Sequence, residues 1–306
     1  MKLKQLFTLG AALMLTAAPM LATALPSGSA KDPLRVMMVP AETGSSDVAD
    51  DYKPVFDAIS KKYGIYFDVK SGSSYSAVVK GMCSDQADIA WYGPVTFGEA
   101  NKMCDAELLA VDVKKGNSVY FSGIYARKDS GINSISDLIG RSLAVGDIKS
   151  TSSFNFPMAM IINDQVDPVK DLGKVVLAGS HTNSIAALKE VRVDAAAASF
   201  NAWEKAIKKG IINPRDFVVV AKSDPIPNPP LAMNTKLPEE LKEKLRLAFN
   251  EIHKHVPAGK IRGYGGKKVD RYDANYSQDK MLAVLKKLAK VTPQLVNEVV
   301  DKAGER

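Results

Sequence analysis

Two periodicities of apolar residues alternate along the chain and predict strands and helices in turn. In the first half, alternating or uninterrupted apolar runs predict strands at 33–39, 66–70, 87–92 and 108–113. Between these runs, apolar residues at helical spacing predict helices at 51–63, 75–82 and 95–103. A regular alternation of strand and helix favours parallel-type sheets that are covered by helices.

The same alternation restarts after a long predicted strand at 120–127. A short helix at 134–138 precedes strands at 142–145, 175–177, 193–198 and 217–221, with helices at 183–190 and 202–209. Beyond a proline-rich segment, the patterns predict a return strand at 231–233 and helices at 239–254 and 280–302. Two series joined by two crossings predict an α/β protein of two lobes with a cleft between them. We assign residues 25–124 and 232–306 to lobe 1 and residues 125–231 to lobe 2.

The first 24 residues have the pattern of a secretory signal peptide. Lys2 and Lys4 precede an apolar stretch at 6–21, and residues 22–24 (ATA) fit a small-residue cleavage site. Pro19 interrupts the apolar stretch and no stop-transfer pattern follows, so we do not predict a membrane span. The mature protein is therefore expected to be soluble and exported.

The formal net charge of +7 is modest and suits an anionic ligand. Lysines between positions 236 and 290 are interleaved with glutamate and leucine, a pattern typical of solvated helix faces. Because basic and aromatic residues are not interleaved, nucleic acid is not an expected partner.

The chain has two cysteines, Cys83 and Cys104. In an oxidising compartment the default expectation is a disulfide between them. The alternative is a pair of reduced thiolates that binds a soft metal or metalloid ion.

The usual motifs of catalytic sites are not found in the sequence, which lacks G-x-S-x-G, H-E-x-x-H, C-x-x-C and a Walker A loop. His253 and His255 are two residues apart, so on a helix they face different directions and do not form a metal site. We therefore expect a binding protein with no catalytic residues, no metal and no cofactor.

Hydroxyl residues cluster at Ser150, Thr151 and Ser152, between a predicted strand and a helix that contains Pro157 in its first turn. The first N–H groups of a helix have no intrahelical acceptor and carry positive partial charge. Together with the hydroxyls they could bind a tetrahedral oxyanion. The alternative is an ordinary serine or threonine cap of the helix.

Several segments together resemble one protein family: SSYSAVVKGM, ADIAWYGPVTFGEA, DSGINSISDLIGRSLAVGD, STSS, AGSHTNSIAAL and SDPIPNPP. The family is that of the phosphonate, phosphite and phosphate-type substrate-binding proteins of bacterial ABC importers. The resemblance covers nearly all of the predicted mature chain. It implies a monomeric periplasmic receptor of the hinged two-lobe kind, which closes on a phosphonyl group and presents it to a membrane permease.

The resemblance also implies a set of ligand-binding residues: Tyr75, Tyr120, Ser150, Thr151, Ser152 and His181. Phosphonyl oxygens are acceptors, so hydroxyls, phenols and an imidazole are suitable donors. His181 could donate a hydrogen bond when neutral or add a positive charge when protonated.

Two departures from the family pattern narrow the expected ligand. Members that bind aminoethylphosphonate hold its ammonium group with acidic side chains, whose positions correspond here to Asn201 and, approximately, Pro229. Because a buried cation without a carboxylate partner is strongly disfavoured, we expect phosphite, phosphate or methylphosphonate instead. Asn201, Phe200 and Pro229 would then form the distal wall of the pocket.

A second hypothesis follows from the cysteines. Some relatives in the superfamily bind arsenite through a cysteine and act on a sensor kinase instead of a permease. Reduced Cys83 and Cys104 could serve that chemistry.

Overall fold

The computed structural model describes residues 26–43 and 47–304, so the predicted signal peptide lies outside the described residues. The strands are β1 Leu34–Met38, β2 Phe67–Ser71, β3 Ile89–Trp91, β4 Glu107–Val113, β5 Val119–Tyr120, β6 Ser122–Arg127, β7 Ser142–Gly146, β8 Lys174–Gly179, β9 Ala195–Ser199, β10 Phe217–Lys222, β11 Ile226–Pro227, β12 Leu231–Met233, β13 Arg262–Gly263, β14 Lys267–Lys268 and β15 Arg271–Asp273. The α-helices are α1 Val48–Tyr63, α2 Tyr75–Cys83, α3 Pro94–Cys104, α4 Phe156–Asn163, α5 His181–Lys189, α6 Phe200–Lys208, α7 Glu239–Glu251, α8 Gln278–Ala283 and α9 Pro293–Gly304. Among these described segments, no helix is both long and apolar enough to cross a membrane.

The first sheet has the strand order β15-β4-β12-β3-β1-β2. Strands β2, β1 and β3 run parallel, as the alternation of strand and helix predicts. The return strand β12 lies antiparallel between β3 and β4. The sheet is therefore mixed, because β12 arrives from the other lobe and not through a helical crossover.

The second sheet has the strand order β10-β6-β9-β7-β8. Strand β6, which enters from the first lobe, runs antiparallel to both β10 and β9. Successive residues of β9 point to opposite faces. Ala195 and Ala197 belong to one apolar core and Ala196 and Ala198 to the other, so helices cover both faces of this sheet.

The chain crosses between the two sheets at Phe121, between β5 and β6, and again between β10 and β12. The predicted strand 120–127 is divided at Phe121 into β5, which pairs with β11, and β6, which joins the second sheet. At this division the Ser122 N–H donates to Ser223 Oγ at 2.9 Å, and the Ser223 N–H donates to the Ser122 carbonyl at 3.0 Å. These bonds tie the two crossing segments together.

A third crossing was not predicted. The expected helix at 280–302 is interrupted, since α8 is followed by a 3₁₀ turn at Val284–Leu288 and a new helix, α9, begins at Pro293. Proline cannot donate to a preceding turn and disfavours helical geometry in the residue before it. Val284 and Leu288 lie in the core of the first sheet, whereas Val299 of α9 lies in a core of the second. Helix α9, expected with lobe 1, thus packs on lobe 2.

Cys83 and Cys104 form a disulfide, with their Cα atoms 5.3 Å apart. The bond joins the last residue of α2 to the last residue of α3. Of the two possibilities that the sequence leaves open, the structure shows the disulfide.

Replacing both cysteines by serine is expected to lower the free energy of unfolding by about 3 kcal/mol, because the unfolded chain regains the freedom that the loop closure removes. Urea unfolding of the oxidised wild type, the reduced wild type and the Cys83→Ser/Cys104→Ser variant measures this effect. The reduced wild type should match the double variant. A double variant as stable as the oxidised wild type would contradict the expectation.

Candidate functional site

A small enclosed pocket lies where the two lobes meet. The space open to the centre of a water molecule is about 10 Å³. Both lobes contribute to its lining, which consists of Val39, Ala41, Tyr75, Trp91, Gly93, Tyr120, Ser150, Thr151, Ser152, His181, Pro229 and Tyr264. None of these side chains is an acid, a lysine or an arginine, so recognition in this pocket depends on neutral groups.

Four helical segments begin at the pocket. Tyr75 is the first residue of α2, Gly93 precedes α3, Thr151 begins the helical segment after Ser150, and His181 is the first residue of α5. The first N–H groups of each helix carry partial positive charge. Their convergence gives the pocket a positive potential without any formal positive charge, which is suited to an anion.

The helical segment at Ser150 opens with one wide turn. Residues Thr151–Asn155 form a π-helical turn, in which the Asn155 N–H donates to the Ser150 carbonyl at 3.1 Å. Pro157 lies in the first turn of α4, as predicted, but the helical conformation already begins five residues before α4. Such turns occur frequently at functional sites.

The acceptor sides of the two central hydroxyls are occupied by protein donors. Ser150 Oγ accepts from the Ser153 N–H at 3.2 Å and from the Ser153 hydroxyl at 2.8 Å. Thr151 Oγ1 accepts from the Val95 N–H of the other lobe at 2.9 Å. A hydroxyl in this state retains its own proton for donation, so both groups are prepared to donate to an anion.

His181 is held as a neutral hydrogen-bond donor. The Ser199 N–H donates to its Nδ1 at 3.0 Å, which leaves the proton of the neutral ring on Nε2. Burial lowers the pKa of His181 to about 3. Of the two roles that the sequence leaves open for this residue, the structure therefore favours donation by the neutral ring. Its backbone N–H also crosses the cleft and donates to the Ala41 carbonyl at 2.9 Å.

The two predicted tyrosines face the hydroxyl cluster from the opposite lobe. The Tyr75 phenol faces Ser150, and the Tyr120 phenol faces Thr151 and Ser152. Burial raises the pKa of both phenols well above the ordinary value, so both remain protonated. They complete a set of neutral donors around the pocket.

Tyr264 and Trp91 line the pocket but were not among the predicted site residues. Tyr264 packs edge-to-face on Tyr120, with ring centroids 5.9 Å apart, and its hydroxyl lies 2.8 Å from Ser199 Oγ. The glycines that follow it, Gly265 and Gly266, adopt positive φ angles of 76° and 64° and so turn the loop back. Glycine residues at 263, 265 and 266 are a local sequence signal for a loop here, but they do not indicate where it packs.

The predicted distal wall is present only in part. Pro229 lines the pocket, but Asn201 and Phe200 do not. Asn201 lies behind Tyr264, where its amide donates to the Tyr264 carbonyl at 3.3 Å and accepts from Lys267 Nζ at 2.7 Å. The reason is that Asn201 belongs to the first turn of α6, which packs against the loop of Tyr264 and not against the pocket itself.

The fold consists of two mixed β-sheets covered by helices, with crossing segments between them and a donor-lined pocket where the lobes meet. This is the architecture of a type II periplasmic binding protein. The chain belongs to the family of periplasmic substrate-binding proteins of phosphonate ABC transporters, whose family model matches residues 36–273. The resemblance recognised in the sequence is thereby confirmed. The family's role is substrate binding in transport, and its periplasmic location agrees with the expected compartment.

Two characterised relatives are each 28% identical to the chain. One is the phosphonates-binding periplasmic protein of Escherichia coli, matched over 199 residues, 63% of this chain and 59% of that protein. The other is the phosphate-import protein PhnD of Mycolicibacterium smegmatis, matched over 222 residues and 69% of each chain. The chain thus covers less than two thirds of the E. coli relative.

Solved structures agree with the two-lobe fold. A binding protein of a phosphonate ABC transporter from Pseudomonas aeruginosa has a TM-score of 0.69 at 24% identity, over 88% of this chain and 98% of its own. PhnD1 from Prochlorococcus marinus, solved in complex with methylphosphonate, has a TM-score of 0.70 at 16% identity, over 84% of this chain and 97% of its own.

Gly93→Ala is expected to hinder closure of the two lobes, because the added Cβ would lie 2.8 Å from Thr151 Oγ1. Overpacking of this kind costs about 1–3 kcal/mol, which corresponds to a loss of about 5- to 150-fold in affinity for a ligand held between the lobes. Titration calorimetry measures the loss. Gly304→Ala, where an added Cβ meets no atom within 4 Å, is the control and should leave the affinity unchanged.

Proposed function

We propose that this chain captures a small phosphorus oxyanion between its lobes and delivers it to an ABC permease. Phosphite, phosphate and methylphosphonate are the candidate ligands. The observation that carries the proposal is the convergence of four helix N-termini with neutral donors on one pocket, whose described lining residues include no carboxylate. This combination is suited to a compact anion.

The lining also argues against a ligand that carries an ammonium group. A buried cation requires a carboxylate partner, and none of the residues that the structure places around the pocket is acidic. The nearby buried acids, Glu42 and Asp51, are both engaged by Lys205.

The relatives support the same class of ligand. Their names and titles mention phosphonates, phosphate import and bound methylphosphonate. All of these ligands present at least three oxygens on a tetrahedral phosphorus, which is the part of the molecule that a pocket of converging donors would recognise.

Closure of the lobes would couple ligand capture to transport. Lobe 2 presents Ser150, Thr151, Ser152 and His181, and the other lobe presents Tyr75 and Tyr120. Only when the lobes are together does an anion contact both sets, so binding shifts the equilibrium toward the closed form. The closed form is then what a permease would recognise.

No observation favours the alternative of an arsenite sensor. The two cysteines form a disulfide at the ends of α2 and α3, and neither lines the pocket. Metalloid binding would require reduction of that bond.

A calorimetric panel on the mature oxidised protein tests the proposed ligand class. At least one of phosphite, phosphate and methylphosphonate is expected to bind, and 2-aminoethylphosphonate to bind at least about tenfold more weakly, because its ammonium group lacks a partner. Tight binding of 2-aminoethylphosphonate would refute the interpretation of the lining. Binding of arsenite alone, and only after reduction, would favour the sensor.

His181→Ala is expected to weaken binding by roughly 1.5–3 kcal/mol, the scale of a hydrogen bond to a charged group. Calorimetry with the tightest ligand of the panel measures the loss. His255→Ala serves as the control, because His255 is exposed. If His181→Ala binds as well as the wild type, the imidazole has no part in recognition.

A further inference from the structure

A buried group of three charged side chains joins the two lobes beside the pocket. Lys205 of α6 donates from Nζ to Glu42 Oε2 at 2.7 Å and to both carboxylate oxygens of Asp51 at 2.8 and 2.9 Å. Glu42 and Asp51 belong to the first lobe, and α6 packs on the second sheet. The side chains are only 9%, 2% and 6% exposed for Lys205, Glu42 and Asp51.

We propose that Lys205, Glu42 and Asp51 form an interlobe latch, which sets the affinity of the pocket from outside it by stabilising the closed form. The inference rests on the proposed function, since it assumes that ligand binds to closed lobes. None of the three residues lines the pocket, so they are positioning residues and not ligand-binding residues.

The burial of the latch explains why it would favour one arrangement of the lobes. Closing the lobes removes all three charges from water, and their mutual ion pairs offset that cost only when the set is complete. Without one partner, closing the lobes would leave a charge buried and unpaired. Removing one partner of this buried group is therefore expected to destabilise the closed form far more than removing one partner of an exposed ion pair would. The Gly265 N–H also donates to Asp51 Oδ2 at 3.0 Å, so the latch is joined directly to the loop that carries Tyr264.

Lys205 also compensates the negative charge of the acids beside the anion site. Glu42 follows Ala41, which lines the pocket, and its charge acts on the pocket tyrosines Tyr75 and Tyr264. Without the ammonium group, two carboxylates would stand next to a site that is built for an anion. Loss of Lys205 would thus weaken binding in two ways, through closure and through repulsion.

The latch makes closure sensitive to pH. Burial raises the pKa of Glu42 to about 7 from its ordinary value of 4.5, and one of its oxygens, Oε1, has no hydrogen-bond partner in the part of the chain that the structure describes. The charged and titratable groups facing Glu42 are Lys205 and Lys209 of α6, Asp51 of α1, Tyr75 of α2 and Tyr264 of the loop 263–266.

The sign of the effect follows from this raised pKa. The closed form binds the proton of Glu42 more tightly than an open form in which the residue is solvated. Closure is therefore favoured below pH 4.5, and this contribution is lost as the pH rises from 4.5 to about 7. The loss is at most about tenfold in affinity per pH unit.

The test compares Lys205→Met, Glu42→Gln and the control Lys208→Met, an exposed lysine of the same helix, with the wild type. Methylphosphonate is the probe in calorimetry between pH 4.5 and 8, and small-angle scattering without ligand reports the separation of the lobes. Lys205→Met should bind at least about tenfold more weakly and scatter as a more open particle, whereas Lys208→Met should match the wild type. Glu42→Gln should reduce the loss of affinity between pH 4.5 and about 7 relative to the wild type. The ligand's own titration is common to both proteins and cancels in this comparison, and Asp51, whose pKa burial also raises, is present in both.

Two results would overturn the latch: Lys205→Met with affinity and scattering equal to the wild type, or Glu42→Gln with an unchanged pH profile. If Lys205→Met does not fold, as judged by its thermal unfolding, the Glu42→Gln profile decides the question. A wild type that binds no anion of the panel would refute the proposed function but not the latch. In that case the scattering of ligand-free Lys205→Met, compared with that of the wild type, still decides whether these charges hold the lobes together. If Lys205→Met is unfolded, the scattering of Glu42→Gln across the same pH range decides it.

Discussion

The arrangement of the pocket depends on helix N-termini that point at one place from both lobes. Helices α2 and α3 belong to the first lobe, and α5 and the turn at Thr151 to the second. The N-terminal end of each carries partial positive charge, so positive potential increases as the lobes approach. This potential disfavours an empty closed pocket and favours one that holds an anion. The close approach itself is possible because Gly93 has no side chain where Thr151 Oγ1 lies.

Among the residues that the structure describes, no formally charged side chain lines this pocket, and three charged side chains lie beside it, between the lobes. The pocket is lined by hydroxyls, phenols and one neutral imidazole, whereas Lys205, Glu42 and Asp51 are buried together at a second place in the same interface. Neutral donors distinguish an anion by geometry and not by a strong general attraction. In the proposed function, the neutral donors of the pocket select the ligand, and the charged group of Lys205, Glu42 and Asp51 stabilises the closed form.

The sequence was sufficient to locate residues whose signals are local. Ser150, Thr151, Ser152 and His181 each stand at the start of a helix, and N-terminal helix signals extend over only a few residues. Strand and helix positions in both lobes followed from periodicity for the same reason. The break in the expected helix at 280–302 was also signalled locally, by Pro293, but the continuous helical pattern around it concealed that signal.

Features that depend on long-range packing could not be predicted. Tyr264 reaches the pocket from a loop more than a hundred residues from the hydroxyl cluster, and no local pattern indicates that destination. Asn201 was predicted to lie in the distal wall of the pocket because of its position along the chain. The orientation of α6 instead directs its side chain toward the loop of Tyr264. The pairing of Lys205 with Glu42 and Asp51 likewise spans more than 150 positions.

The third crossing of the chain has a mechanical consequence. The two crossing segments that are hydrogen-bonded at Ser122 and Ser223 lie side by side. Two adjacent connections of this kind would allow the lobes to bend about one axis and also to twist against each other. Helix α9 is anchored on the second sheet, and Val291 before it contacts the cores of both lobes. We expect this third connection to limit rotation of one lobe against the other about their long axis. The movement that remains would approach a single degree of freedom, in which the two halves of the pocket separate and meet again in the same register.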